Sequence, residues 1–303
     1  MKKILLGTRG SQLALWQAEY VRNLLLKNIE DIEVAIEVIK TIGDQIKDKP
    51  LPDIGRKGLF TKEIEDALLE EQIHVAVHSL KDLSSTLPDG LVYAGSPPRA
   101  DCRDTFLSNR WQSLKSVPKG GRIATGSVRR RALVKAENPH VICQDLRGNI
   151  KTRLRKLKVE DWDGIIMAAA ALERLGLVDD ITEYLDPETF VPSVGQGAIG
   201  LEVKETREDV LLMMRMISDP DTVTSVTAER AFMHHLGGGC SVPIGAWGRL
   251  VNGQLNLIGY FATVSGKRFI RKTAIGPLEE PETLGIMLAE RFKALGVEAL
   301  MPR

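Results

Sequence analysis

Apolar positions along the chain switch repeatedly between the period of a strand and the period of a helix. Lys3 to Leu6 reads as a strand, Gly7-Thr8-Arg9-Gly10-Ser11 as a turn, and Leu13, Trp16, Tyr20 and Leu24 as one face of a helix. Ile32 to Lys40 gives a second strand, Lys62 to Leu69 a helix behind a Gly55-Arg56-Lys57-Gly58 loop, and Ile73 to Val77 a third strand. The pattern starts again near Asp101. It predicts strand Ile123 to Thr125, turn Gly126-Ser127, helix Val128 to Lys135, strand His140 to Ile142, a helix capped by Asn149, and strand Gly164 to Ala168. Alternating strands and helices predict parallel sheets. From Thr222 the rhythm changes: a long helix to His235 leads through Gly237-Gly238-Gly239-Cys240 into strands Gly245 to Leu250, Gln254 to Tyr260 and Lys267 to Ala274. Asn252-Gly253 is a hairpin signal between the first two of these, and the run predicts a small α+β unit.

At 303 residues the chain exceeds one ordinary core, which fits several domains. With 43% hydrophobic and 27% charged residues it reads as globular, neither disordered nor membrane-embedded. Its most apolar window, Ile165 to Leu177, is interrupted by Glu173 and Arg174 and is shorter than the roughly 20 residues of a membrane span. The first ten residues hold no secretory pattern, so a cytoplasmic location is expected. Cys102, Cys143 and Cys240 cannot all pair and match no zinc spacing, which predicts free thiols and no metal. The net charge is +1, yet Arg122 to Lys158 holds eleven Lys or Arg against two acids. That stripe calls for an anion, either nucleic acid or a small polyanion.

Four places concentrate the chemistry. The turns Gly7 to Ser11 and Thr125-Gly126-Ser127-Val128-Arg129-Arg130 each feed a helix start with small residues and arginine, the combination that binds carboxylate or phosphate. Read alone, Ser11 and Ser127 are plain helix caps; two such turns with arginine favour anion binding. Leu146-Arg147-Gly148-Asn149 puts Arg147 at the mouth of a further helix, with Arg153 along it. The strand through Val77 ends in His78-Ser79-Leu80-Lys81-Asp82, where ligands bind in open α/β sheets. Asp82 there can stabilise a developing cation or pass protons, or can simply pair with Lys81 at a helix start. Cys240, in its glycine run beside His234 and His235, reads as a nucleophile, an attachment point or half of a metal site.

These motifs, with Gly58-Leu59-Phe60, Gly195-Gln196-Gly197-Ala198 and Gly238-Gly239-Cys240-Ser241-Val242-Pro243, occur in the order found in the porphobilinogen deaminase (hydroxymethylbilane synthase) family, which the chain resembles over almost its whole length. The resemblance implies an α/β fold with two periplasmic-binding-protein-like domains with mixed sheets plus a small α+β C-terminal domain. It implies domain 1 at 1–97 and 195–215, domain 2 at 98–194, and domain 3 at 216–303 carrying the cofactor cysteine. By the same resemblance a dipyrromethane is attached covalently to Cys240. Four porphobilinogen molecules are then polymerised into hydroxymethylbilane with release of ammonia, by a monomer that needs no nucleic acid or membrane. Asp82 would be catalytic, and Lys81, Asp82, Thr125, Ser127, Arg129, Arg130, Arg147 and Gly148 would hold the cofactor. Arg9, Ser11, Lys57, Phe60, Ser79, Arg147, Arg153 and Gln196 would bind substrate. Asp53 stands where many relatives carry a second lysine, a charge that Arg56 would supply.

Two other functions fit parts of the pattern. A noncatalytic anion receptor on the same two-lobed fold has no need of the cysteine loop. An RNA-binding protein using the basic stripe would lack aromatic stacking partners, since Arg122 to Lys158 contains no Phe, Trp or Tyr.

Overall fold

A computed structural model describes residues 2–42, 61–237, 242–263 and 265–301. In chain order the first elements are β1 (Lys2–Thr8), α1 (Gln12–Asn28), β2 (Ile32–Val38), α2 (Lys62–Leu69), β3 (Val75–Ser79) and β4 (Leu91–Gly95). Next come β5 (Asp104–Leu107), β6 (Arg122–Ala124), α3 (Val128–Glu137), β7 (Ile142–Gln144), α4 (Ile150–Val159), β8 (Gly164–Ala168), α5 (Ala169–Arg174) and β9 (Glu183–Tyr184). The last are β10 (Ile199–Lys204), α6 (Glu208–Ile217), α7 (Pro220–His235), β11 (Ile244–Val251), β12 (Gln254–Ala262), β13 (Phe269–Gly276) and α8 (Pro281–Ala294).

The chain divides into two units, Met1–Ala100 with Ala198–Val223, and Asp101–Gly197 with Thr224–Arg303. In the first, the sheet order is β2-β1-β3-β10-β4. Strands β2, β1 and β3 are parallel, as the alternation predicts, but β10 is antiparallel to both β3 and β4. The sheet is mixed, as the family resemblance implies, because β10 arrives from far along the chain rather than through a strand–helix–strand crossover, the connection that makes neighbours parallel. Two layers of side chains cover the sheet. Val75 and Val77 of β3 pack with Val21 and Leu25 of α1 and Met214 of α6, while Ala76 packs with Ile64 and Leu68 of α2. Successive strand residues point to opposite faces, so His78 lies on the α2 face and Ser79 on the α1 face.

The second unit repeats the arrangement in the order β7-β6-β8-β5-β9, with β5 the antiparallel insertion. It also holds the antiparallel sheet β11-β12-β13. The hairpin between β11 and β12 turns at Asn252 and Gly253, both at positive φ (51° and 74°), as a tight primed turn requires. Phe232 of α7 and Phe292 of α8 meet edge to face beneath this sheet, ring centroids 5.0 Å apart. Ile258 and Tyr260 of β12 join the cluster of Phe106 and Phe190, so the small sheet shares a core with its unit. The periodicity missed β4, β5, β9, β10, α6 and α8; β4, β5 and β9 are short strands, and α8 mixes exposed Ile286 and Met287 with its buried face.

Candidate functional site

The sites sit at strand ends because parallel strands aim their carboxyl ends, and the helix starts that follow them, to one edge of a sheet. In the first unit β1 ends at Thr8 and α1 begins behind Ser11, whose hydroxyl accepts the Ala14 N–H at 3.2 Å. The parallel neighbour β3 ends at Ser79 and passes into a 3-10 turn, Leu80–Asp82. Arg9, Ser11, Gln17, Ser79, His78 and Asp82 therefore border one small pocket, with Asp82 exposed at its rim and Lys81 half-buried beside it. Ser79 and Gln17 exchange hydrogen bonds of 2.9 and 3.2 Å. Gln17 is buried, a polar residue on the stripe formed with Ala14, Ala18 and Val21. That interruption of an apolar face was the signal for it in the sequence.

In the second unit, β6 feeds α3 through Thr125, Gly126 and the cap Ser127, whose hydroxyl accepts the Arg130 N–H at 3.4 Å. A Cβ on Gly126 would lie 2.7 Å from the Leu146 carbonyl, so only glycine lets the two turns approach. Strand β7 feeds α4 through Arg147, Gly148 and the cap Asn149. Gly148 has φ 107°, a conformation closed to other residues, and a Cβ there would strike Thr152. Arg147 is half-buried, and Arg153 donates from Nε to the Gly148 carbonyl at 2.7 Å. Helices α1, α3, α4 and the short α5 carry no acid in the first turn, whereas α2, α6, α7 and α8 do. The helix starts behind the three motif turns thus keep their positive end uncompensated, ready for an anion.

Arg129 and Arg130 are placed differently from a pair of open guanidinium groups. Both are buried and both grip Asp104 of β5, Arg129 at 2.8 Å and Arg130 at 2.7 Å. Gln196 adds its amide to Asp104 at 2.9 Å and to the Cys102 carbonyl, and Arg130 donates to the Gln196 side-chain oxygen. Burial pushes the Asp104 carboxyl up, but Arg129, Arg130 and Gln196 outweigh it and hold it below the usual carboxylate range. Burial also lowers Arg129 against the pull of Asp104. Two cations against one anion leave the cluster one positive charge in excess. Asp104 was missed in the sequence because it opens a four-residue strand beside the polar Thr105, where an acid draws no notice. Its loss would strand two buried guanidinium groups, so Asp104→Asn should cost about 3 to 5 kcal/mol in unfolding measurements. A depressed carboxyl contributes stability above its unfolded value near pH 4, lost as pH falls through the folded one. The Asn variant should therefore lack that part of the acid limb.

Lys57, Phe60 and Cys240, with Asp53 and Arg56, lie outside the described residues. Cys240 belongs to the segment between α7 and β11. Among the described residues no helix is long and apolar enough to cross a membrane.

Comparison with known proteins agrees along the whole chain. The family model "Porphobilinogen deaminase, dipyromethane cofactor binding domain" matches residues 4–212, and "Porphobilinogen deaminase, C-terminal domain" matches 223–294. Porphobilinogen deaminase of Syntrophomonas wolfei is 45% identical over 99% of this chain and 98% of its own length. That of Methylobacillus flagellatus is 42% identical over 99% and 97%. Among solved structures, immunogenic lipoprotein A from Vibrio vulnificus is 13% identical, covers 75% of this chain and 99% of its own, and has a TM-score of 0.46. The fold assignment rests instead on the two five-stranded sheets and the three-stranded one. With two adjoining family models and relatives this similar over nearly their full length, the chain belongs to the porphobilinogen deaminase family.

Proposed function

We propose that Asp82 is the catalytic group, that Cys240 carries the cofactor, and that the acid-free helix starts with their arginines hold the carboxylates of cofactor and substrate. The family polymerises porphobilinogen into hydroxymethylbilane in tetrapyrrole biosynthesis and works with a dipyrromethane cofactor. The observation that carries the assignment of roles is the pocket at the ends of β1 and β3, where Asp82 meets Ser79, Arg9 and Ser11.

Each pyrrole of substrate and product bears two carboxylates, which gives the uncompensated helix starts, the surplus charge at Asp104 and the glycines of both second-unit turns a common purpose. Lys81, Thr125, Ser127, Arg129, Arg130, Arg147 and Gly148 would hold the cofactor, which supplies the free α-carbon from which the chain grows. Arg129 and Arg130 would act chiefly through the surplus charge, their forks being engaged with Asp104. Arg9, Ser11, Lys57, Phe60, Ser79, Arg147, Arg153 and Gln196 would serve the incoming substrate. Asp82 accepts the pyrrole N–H. As the C–N bond of the substrate's protonated aminomethyl group breaks, the nitrogen leaves as ammonia with the bonding electron pair, and the carboxylate stabilises the cation left on the ring. Asp82 would also take up the proton released when the α-carbon at the growing end bonds to that methylene carbon.

We further propose the division 1–97 with 195–215, 98–194 and 216–303, a monomer in the cytoplasm, and no nucleic-acid partner. The lack of aromatics in the basic stripe supports the last. Arg9→Ala, Arg147→Ala and Arg153→Ala test the carboxylate roles. Loss of one charge-assisted bond, about 1.5 to 3 kcal/mol, should raise KM roughly ten- to a hundredfold or stall the enzyme at partly elongated complexes visible by mass. Wild-type elongation by all three variants would contradict the assignment.

A further inference from the structure

Strand β3 carries a buried hydrogen-bonded pair in the wall of the pocket. His78 Nε2 lies 3.0 Å from Glu202 Oε2 of β10, the two side chains 4% and 0% exposed. Glu202 Oε1 is buried with no hydrogen-bond partner among the described residues. On the same face Glu65 of α2 is buried, and burial first, then the negative charge of Glu202, push its carboxyl above the usual range. Such a cluster is a poor way to stabilise a core, since an apolar pair of similar volume would serve as well or better. An orphaned buried oxygen adds a desolvation cost.

Its position supplies a reason. Strand β10 pairs with β3 in an unbroken register, Ile199 to Ser79 through Glu202 to Ala76, but its register with β4 shifts between Leu201 and Glu202. Strand β4 pairs with β10 on both sides of that bulge, but the ladder is interrupted there, next to Glu202. The His78–Glu202 bond adds a side-chain tie at this point from the β3 side. Strand β10 and the residue before it hold the turn of Asp82: Leu80 N–H donates to the Ala198 carbonyl at 3.0 Å, and a Cβ on Gly200 would lie 2.8 Å from Leu80. Asp82 is two residues beyond Leu80 in a 3-10 turn closed by Leu83 N–H to the Leu80 carbonyl.

We propose that His78 is a positioning residue for Asp82: its bond to Glu202 locks β10 against β3 and so fixes the turn that presents the Asp82 carboxylate. The proposal rests on the catalytic role assigned to Asp82. Glu65 belongs to the same device, being buried on the same face and close enough to Glu202 and His78 to feel both.

The test replaces the pair by apolar residues, His78→Leu with Glu202→Leu, in holo-enzyme. The melting temperature should be at or above wild type and the pyrrole mass unchanged. The single-turnover rate should fall roughly 10- to 100-fold, with KM within about threefold, as expected for a displaced catalytic group. A rate within about twofold of wild type would overturn the proposal. If the double variant does not fold, His78→Gln decides by the same split, with a fall of about three- to tenfold expected and less than twofold contradicting. Glu65→Gln adds a stability readout. A raised carboxyl favours the fold below its unfolded value, an advantage lost as pH rises through the folded one. This variant should therefore flatten the decline in melting temperature as pH rises above the unfolded glutamate value of about 4, and an unchanged decline would remove Glu65 from the device. Wild type lacking the pyrrole mass would defeat the reading of the site itself, whereas wild type bearing it beside an unimpaired variant defeats only the His78 proposal.

Discussion

Asp82→Asn is expected to give a folded, cofactor-bearing protein whose single-turnover rate is lower by about 10²- to 10³-fold, the usual worth of one preorganised charge at a reacting centre. Asn keeps the size and part of the hydrogen bonding, so the pocket at the ends of β1 and β3 should survive. Only the negative charge opposite the ring cation disappears, and the loss should appear in the chemical step rather than in cofactor attachment. Asp82→Glu restores the charge one methylene away and should fall between the two. The exposure of Asp82 does not weaken this expectation, because bound pyrroles displace water and raise the value of the charge only when it is used. A near wild-type rate for Asp82→Asn would leave Lys81 and Asp82 as a surface pair at the 3-10 turn.

Cys240→Ser should abolish turnover altogether. A serine hydroxyl lacks the nucleophilicity of a thiol and forms no thioether, so the protein should accumulate without the pyrrole group. Cys102 and Cys143 provide the control. Both are free thiols in the second unit, and burial pushes the Cys143 thiol up, which makes it a poor nucleophile. Changing either to serine should leave the pyrrole group in place, as mass spectrometry can read directly.

The fold was legible where periodicity was strong. Helix Lys62–Leu69 and strand Gly164–Ala168 have the predicted ends. The Asn252-Gly253 turn is where its dipeptide says. Strand β3 runs two residues further than its apolar run, because His78 hides its polarity against Glu202 and reads as a strand end only in sequence. Strand β10 could not be paired from its pattern, since nothing local in Ile199–Lys204 tells an antiparallel insertion from a parallel neighbour. The motif turns were legible because arginine recurs beside glycine and a cap serine at two helix starts, more than capping alone requires. Asp104 and Gln17 were not. Each satisfies its polar groups through a partner far along the chain, Arg130 in one case and Ser79 in the other, and the sequence names no such partner. For the same reason Arg129 and Arg130 read as open anion forks when their first partner is an internal carboxylate.

The central claim is that this chain builds its product on a pyrrole cofactor held by Cys240. The most direct measurement is the intact mass of the purified, active protein, with a pyrrole colour test on the same sample. The account predicts a polypeptide heavier by two linked pyrroles, a positive colour, and loss of both in Cys240→Ser. An active protein with the mass of the bare polypeptide and no colour would contradict it.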